Sequence, residues 1–354
     1  MLSFVRERCI WETLQEERRP VVLYGMGDGA LKVLAACRLY GIPVCGIFVS
    51  DDRLRRRDFA GFPLKTLAEL ESELGEMVVL LCFAAFRPEL IAQILRVGER
   101  HRLLVPDLPV FGDGLFDTAF LEAHAAEFDE AYRLLADEQS RAVFRAVVNF
   151  KLSGEPSYLA PVETPREEMY RLLRIGPDED YVDLGGYDGD TAGEFLGFTG
   201  GRYSSMTILE PDEKNFRKLE RRAAAFPPGD VRLIQAACWQ EDGTLSFQSL
   251  AGRNSFLDAG GRTEVAARSV DSLSAGRRVS FLKMDVEGAE RVALLGARET
   301  IRRDAPALLA AAYHRREDLF ALPLLVRRLG PDYRIFLRRQ TYLPAWETNL
   351  CARR

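Results

Sequence analysis

The sequence has little of what marks an exported, membrane-bound or metal-scaffolded chain. Its six cysteines, at 9, 37, 45, 82, 238 and 351, form no Cys-x-x-Cys pair. That excludes a zinc-ribbon or dithiol redox motif, and most of them fall in apolar segments where cysteine acts as a small hydrophobe. A reducing, cytoplasmic location is the expectation. Histidine is scarcer still, with only residues 101, 124 and 314. The longest apolar run, residues 77–86, is too short to span a bilayer, and the first eight residues become charged too soon for a signal peptide. Neither export nor membrane insertion is expected. Charge of one sign is lacking as well: 48 basic side chains face 53 acidic ones, for a net charge of −5. No strong field draws the chain to nucleic acid or anionic lipid, so neither is expected as a partner, and the cluster Arg53, Arg55, Arg56 and Arg57 is read as a solvated face.

What is present is ample core material: 354 residues, 47% of them hydrophobic, enough for two domains. Beyond an opening amphipathic helix, residues 21–24 read as a strand entering Gly25-Met-Gly-Asp-Gly-Ala30, with a helix running to Tyr40 and closed by Gly41-Ile42-Pro43. The alternation continues with strands at 44–49, 77–83 and 103–105 and helices at 67–74 and 88–99. An open parallel sheet over residues 1–112, a smaller Rossmann-like α/β domain, is the economical architecture. Gly25, Gly27 and Ala30 satisfy G-x-G-x-x-A, and Asp51 follows the second strand where an acid meets a ribose in dinucleotide folds. The same glycines serve equally well to seat a helix close on its strand.

From residue 113 to 165 the pattern becomes helical. Phe116, Phe120, Phe128, Tyr132 and Leu135, then Val143, Val147 and Phe150, recur at spacings near three and four, as in helices packed on a core. Ser153, Gly154 and prolines 156, 161 and 165 break that pattern and close a helical bridge. The second α/β domain, 166–354, opens on a motif around which the rest is arranged. A strand at 181–184 runs into Gly185-Gly186-Tyr187-Asp188-Gly189-Asp190, then a helix carrying Phe195 and Leu196 inward, then a strand at 206–209 ending in Glu210-Pro211-Asp212. The turn frees the backbone to approach a ligand, its amides are expected to face that ligand, and a carboxylate at the second strand's end suits a ribose diol. Alone, Asp-Gly-Asp is most simply a solvated turn; the ordered conjunction is what argues for a nucleoside site.

Further on, the reading is a helix at 213–225, a strand at 231–236, a polar hairpin through Asp242-Gly243-Thr244, a strand at 279–284 stopping at Asp285 and one helix over 289–303. A strand over 307–313 running up to His314 and a closing antiparallel pair at 333–337 and 348–352 complete it.

With these stretches in view, the second domain resembles the FkbM-type S-adenosylmethionine-dependent O-methyltransferases. The likeness is carried by Asp183-Leu-Gly-Gly-Tyr-Asp-Gly-Asp-Thr191, Leu209-Glu-Pro-Asp212, Lys283-Met-Asp-Val-Glu-Gly-Ala-Glu290, Tyr313-His314 and Trp346-Glu-Thr-Asn-Leu350. The family often has Ala and Asn where this chain has Gly186 and Tyr187, which bears on how the donor's methionine part is held. The resemblance implies a class I methyltransferase sheet of about seven strands, order 3-2-1-4-5-7-6, with ligands at the strand tips beside the switch point. It also implies S-adenosylmethionine as cofactor. Asp183, Gly185 and Asp188 would border its methionine part, Glu210 would hold its ribose hydroxyls and the segment around Ala237 would lie near its adenine, with Gly186, Tyr187, Gly189, Asp190, Thr191, Pro211, Asp212 and Asn215 completing the cofactor-binding set. Asp285 would lie where donor and acceptor meet.

Methyl transfer to an aliphatic hydroxyl needs its proton removed, and His314 is the first candidate for base, with Asp285 orienting and Glu287 within reach. A histidine at a strand end is also a common capped core residue. A divalent ion between Asp285, Glu287 and His314 is chemically feasible, but no ligand spacing demands it, so no metal ligand is assigned. The expected function is O-methylation of a hydroxylated small molecule, such as a polyketide, a sugar or a glycan-linked metabolite. Assembly into a homo-oligomer stays open. An NAD(P)-dependent oxidoreductase is disfavoured because the motif at 183–190 lacks G-x-G-x-x-G spacing, and a non-catalytic donor-binding scaffold is the third reading.

Overall fold

A computed structural model describes residues 2–50, 58–248, 256–257, 263–330 and 332–354. Asp51 and the arginine cluster at 53–57 lie outside the described residues. The first half is a six-stranded sheet, order β3-β4-β2-β1-β5-β6, built from β1 (Val21–Tyr24), β2 (Val44–Phe48), β3 (Asp58–Phe59), β4 (Phe62–Lys65), β5 (Val78–Leu81) and β6 (Arg102–Leu104). Central β1 and β5 are buried at every position, as continuous apolar strands covered on both faces should be. The sequence reading had no counterpart to the antiparallel pair β3 and β4, two and four residues long. Helix Leu67–Leu74 starts in a capping box, Thr66 bonding the Glu69 amide and Glu69 returning to Thr66.

Three helices follow, Thr118–Ala123, Ala125–Leu134 and Glu138–Ser153, the first and last capped by Asp117 and Asp137. Their expected stripe is inside: Phe116, Phe120, Phe128, Leu135, Val143, Val147 and Phe150 are buried, and Tyr132 partly so. One apolar cluster runs from β1 and β5 through these helices to Leu308, Ile335 and Leu350. Polar ties reinforce it. Arg338 pairs with Asp137 and Glu168 at 2.6 Å each, and the fully buried Arg339 with Glu163 at 2.7 Å.

Past helix Arg166–Leu173 come β7 (Asp180–Leu184), β8 (Ser205–Leu209), β9 (Asp230–Ile234), β10 (Ala237–Cys238), β11 (Gly243–Gln248), β12 (Phe256–Leu257), β13 (Thr263–Arg268), β14 (Phe281–Met284), β15 (Ala307–Ala311), β16 (Arg334–Arg339) and β17 (Thr348–Arg353). Seven of them form one sheet, β9-β8-β7-β14-β15-β17-β16, parallel except where β17 meets β15 and β16. Numbered from β7, that is the order 3-2-1-4-5-7-6, with its switch point between β7 and β14.

Three details differ from the sequence reading. The hairpin through Asp242-Gly243-Thr244 does not fold back on the preceding strand. Instead β11 pairs antiparallel with β13, which is also the parallel partner of β10, in a separate four-stranded sheet. The helix at 289–303 is two helices, Glu290–Leu295 and Arg298–Asp304. They part at Gly296, where a Cβ would lie 2.2 Å from the Trp239 carbonyl oxygen, and Asp271 caps the second by accepting from the amides of Glu299 and Thr300. Finally, β15 ends at Ala311, so His314 sits three residues beyond it, and helix Asp318–Leu329 follows unanticipated.

Candidate active site

The tips of β7, β8 and β14 open into a cavity of about 370 Å³. Its wall includes Gly185, Tyr187, Asp190, Thr191, Glu210, Pro211, Asn215, Ala237, Asp285 and Glu287, ten of the residues singled out from the sequence. Gly185 is required where it stands: its φ is +85° and a Cβ would lie 1.9 Å from the Asp285 carbonyl oxygen, so β7 and β14 turn past each other only without a side chain.

Four of the six amides over residues 185–190 are already engaged within the fold, which leaves fewer for a ligand than expected. Gly185 and Gly186 both donate to the Leu209 carbonyl at 3.1 and 2.8 Å, Gly189 donates to Gly186, and Tyr187 donates to Glu210 Oε2 at 2.9 Å. Tyr187 holds a left-handed φ of +46°, a conformation costing a non-glycine residue on the order of 1 kcal/mol. Its hydrogen bond to Glu210 joins the turn to the second strand's tip.

Glu210 is 6% exposed, and its other oxygen accepts from the Asp212 amide at 2.9 Å. Burial raises its carboxyl from the ordinary value of 4.5 to about 7, against the two amides that favour the anion. Such a carboxylate lacks hydration and gains from further donors. Asp212 caps helix Glu213–Ala223 through the amides of Lys214 and Asn215, which places its carboxylate in the fold rather than in the cavity wall.

Four more expected residues stand outside the wall. Gly186 and Gly189 pack against Ile208 and Leu219, and Asp188 pairs with Arg222 at 3.3 Å. Asp183 is fully buried beneath the cavity, 3.0 Å from Lys283 Nζ and accepting from Thr191 Oγ1 at 2.7 Å. Lys283 lines the cavity, donating to the Gly185 carbonyl at 3.2 Å. Burial alone would lower its pKa, but Asp183 and Asp285 raise it above the ordinary value, so it stays charged.

His314 is the main revision. It is 1% exposed and does not line the cavity, while Asp285 and Glu287 do. Its Nδ1 lies 2.8 Å from Glu290 Oε1, and its Nε2 lies 3.5 Å from Asp285 and 3.4 Å from Glu287. Burial would lower its pKa, but Glu290 first and then Asp285 and Glu287 raise it to about 10. Held by these carboxylates, the ring keeps its proton at neutral pH and is a poor base.

Beyond these, the wall holds residues the sequence reading did not assign. Arg166 lies between Glu194 at 3.4 Å and Glu347 at 3.0 Å. Phe86 reaches in from the first half, because Ala85 and Leu343 exchange both backbone hydrogen bonds at 2.7 and 2.8 Å. Its ring stacks 5.9 Å from Tyr342, which lies 5.5 Å from Trp346. Lys283 and Glu347 stood inside the stretches at 283–290 and 346–350; Arg166, Phe86 and Tyr342 carried no local signal.

A sheet of this strand order, with a carboxylate at the tip of its second strand and a cavity beside the switch point, defines a class I, Rossmann-like methyltransferase fold. Residues 183–344 match the family described as Methyltransferase FkbM domain, and with the fold this marks the protein as an S-adenosylmethionine-dependent methyltransferase. The whole chain is similar in fold to a crystal structure of methyltransferase FkbM from Methylobacillus flagellatus KT, at 24% identity over 97% of this chain and 92% of that one, with a TM-score of 0.73. An rRNA methylase from Streptococcus thermophilus (14% identity, 53% of this chain, 94% of that chain, TM-score 0.35) is also similar. So is Aeropyrum pernix fibrillarin with natively bound S-adenosyl-L-methionine (12%, 53%, 74%, 0.35). No curated protein matches the sequence.

Proposed function

We propose that the protein transfers a methyl group from S-adenosylmethionine to a hydroxyl of a small molecule, such as a polyketide, a sugar or a glycan-linked metabolite. The observation that carries this reading is the shared cavity: Glu210, at the tip of β8, and Asp285 and Glu287, past the tip of β14, line a single space. The residues fit the donor. Glu210, dehydrated and fixed by the Tyr187 and Asp212 amides, is an acceptor for a ribose diol, with Asn215 and Pro211 beside it and Ala237 toward the base. Asp190, Glu194 and Asp285 add an anionic lining that suits a sulfonium.

When bound, the donor supplies a methyl carbon whose bond to sulfur breaks, the electron pair staying on sulfur as the acceptor oxygen's lone pair forms the new bond. The protein's part is to hold the acceptor oxygen at near-attack distance and to take its proton. Asp285 and Glu287, which reach the cavity, take or orient that proton, and His314 stands behind them as a positioning residue. Lys283 and Asp183 hold the Gly185 turn and Thr191 in place. The acceptor end draws Phe86 from residues 1–112, which we treat as a separate domain joined by a bridge at 113–165 to a catalytic domain at 166–354. Six free cysteines are the support for a cytoplasmic location. Among the described residues no helix is long and apolar enough to cross a membrane.

Calorimetry with S-adenosylhomocysteine and with NADH tests the reading. Binding of the first and not the second is expected, and the reverse would replace the methyltransferase assignment of this cavity with a dehydrogenase one.

A further inference from the structure

Besides its sulfonium, the donor carries an α-ammonium and an α-carboxylate, and the carboxylate needs a cation. Among the described residues the cavity wall holds two cationic side chains, Arg166 and Lys283. Lys283 has no donor to spare. An ammonium has three N–H groups, and its Nζ already faces Asp183 Oδ1 at 3.0 Å, the Gly185 carbonyl at 3.2 Å and Thr191 Oγ1 at 3.4 Å. A guanidinium has five, and Arg166 uses two, one from Nη1 on Glu194 Oε2 at 3.4 Å and one from Nη2 on Glu347 Oε2 at 3.0 Å. Its remaining N–H groups have no partner among the described residues.

Packing fixes where this guanidinium stands. Helix Arg166–Leu173 buries Met169, Tyr170 and Leu173 in one cluster with Phe195 and Leu196 of helix Asp190–Thr199, and Tyr170 stacks on Phe198 at 5.0 Å. Arg166, one turn before Tyr170, is thereby set beside Glu194, which shares a helix face and the cavity wall with Asp190 and Thr191. On the other flank Glu347 keeps a left-handed φ of +60°, uncommon for a residue other than glycine, with its carboxylate on Arg166. Burial raises the Glu194 carboxyl above its ordinary value and Arg166 offsets this only in part, so the anion gains from a second cation. Its Oε1 accepts no hydrogen bond among the described residues.

We propose that Arg166 and Glu194 form a clamp for the α-amino-acid head of the donor, the guanidinium taking its carboxylate and Glu194 its ammonium, an assignment that rests on the donor reading above. Charge decides what the clamp accepts. Glu194 and Glu347 together outweigh Arg166 by one negative charge, so a lone carboxylate meets repulsion, whereas a zwitterion brings its own ammonium to Glu194. Arginine suits the task because its planar fork meets both oxygens of a carboxylate at once, which the point charge of a lysine does not. A bridge that merely ties the helix to the chain's tail would make no distinction among nucleosides. The clamp separates a nucleoside bearing an amino-acid head from one without it.

The test is calorimetry on the full chain with three probes: S-adenosylhomocysteine, its decarboxylated analogue, and methylthioadenosine, which has no amino-acid head. The unaltered protein should bind the decarboxylated analogue roughly 10–100-fold more weakly than S-adenosylhomocysteine, the size of a lost charge-assisted pair. Arg166→Ala should weaken S-adenosylhomocysteine by a similar factor without weakening the other two, and Arg166→Lys should recover part of the loss. Glu194→Gln should weaken both probes that keep the ammonium and spare methylthioadenosine, whose retained binding shows that the variant's site is folded. Equal affinity of the unaltered protein for S-adenosylhomocysteine and its decarboxylated analogue overturns the clamp without any variant. So does an Arg166→Ala variant that loses nothing, or one that loses all three probes alike, as a structural bridge would. If the unaltered protein binds none of the three, the donor reading falls and takes the clamp with it, whereas binding of all three with equal affinity removes the clamp alone.

Discussion

The two sheets each present a glycine-rich turn after a central buried strand, and the turns do not do the same thing. After β1, Gly25 holds a φ of +115° and a Cβ there would lie 2.6 Å from the Phe83 ring. Tyr24 stacks on Phe48 at 4.5 Å and meets Phe83 edge-on at 5.0 Å, so the described strand tips close over one another as aromatic packing. After β7, Gly185 is equally constrained by the Asp285 carbonyl, but the neighbouring tips end in Glu210 and Asp285, and a cavity opens between them. Glycine in such a turn reports the close approach of backbone. What the adjacent strands end on decides whether a polar ligand has partners there.

Several experiments would break or sharpen that contrast. The largest effect belongs to Asp285→Ala, expected to lower turnover by roughly 10²–10⁴-fold while S-adenosylhomocysteine affinity changes little, as steady-state kinetics and calorimetry would show. Next, Glu210→Ala should weaken S-adenosylhomocysteine about 10–100-fold by calorimetry, the loss of charge-assisted hydrogen bonds to one buried carboxylate. Unchanged affinity would leave the second turn no different from the first.

The same carboxylate predicts a pH dependence. Its folded pKa, about 7, lies above the ordinary 4.5, so the ionised form is the one the fold penalises. The ligand-free protein should therefore lose stability from this group as pH rises from 4.5 through 7, whereas donor affinity, which uses the ionised form, should rise over the upper part of that window. S-adenosylhomocysteine should bind about tenfold more weakly at pH 6 than at pH 8. A smaller effect is expected of Phe86→Ala, a few-fold rise in the acceptor's KM at unchanged donor affinity, because among the described residues the first half contributes one ring to the wall. Smallest is Asp28→Ala at the first turn, which should alter S-adenosylhomocysteine affinity by less than about twofold.

The contrast also explains what was legible in the sequence. Strands at 21–24 and 181–184 were readable because burial on both faces requires an unbroken apolar run. Glu210 was readable because a charged residue ending such a run stands at the tip, where ligands bind. Lys283 was not, because a lysine inside a short strand shows its direction only once Asp183 is placed beneath it. Phe86, Arg166 and Tyr342 reach the cavity through contacts between distant segments, and no local pattern encodes the pairing of Ala85 with Leu343. The break at Gly296 was hidden for the same reason, since Trp239 imposes it from another element. His314 was visible as a residue past a strand end, but its burial behind Glu290 depends on the neighbouring loop.

A structure of the protein soaked with S-adenosylhomocysteine tests the central claim most directly. The ribose hydroxyls should lie within hydrogen-bond distance of Glu210, with the sulfur directed toward Asp285. Density for the ligand at the turn after β1, or a ribose oriented away from Glu210, would contradict it.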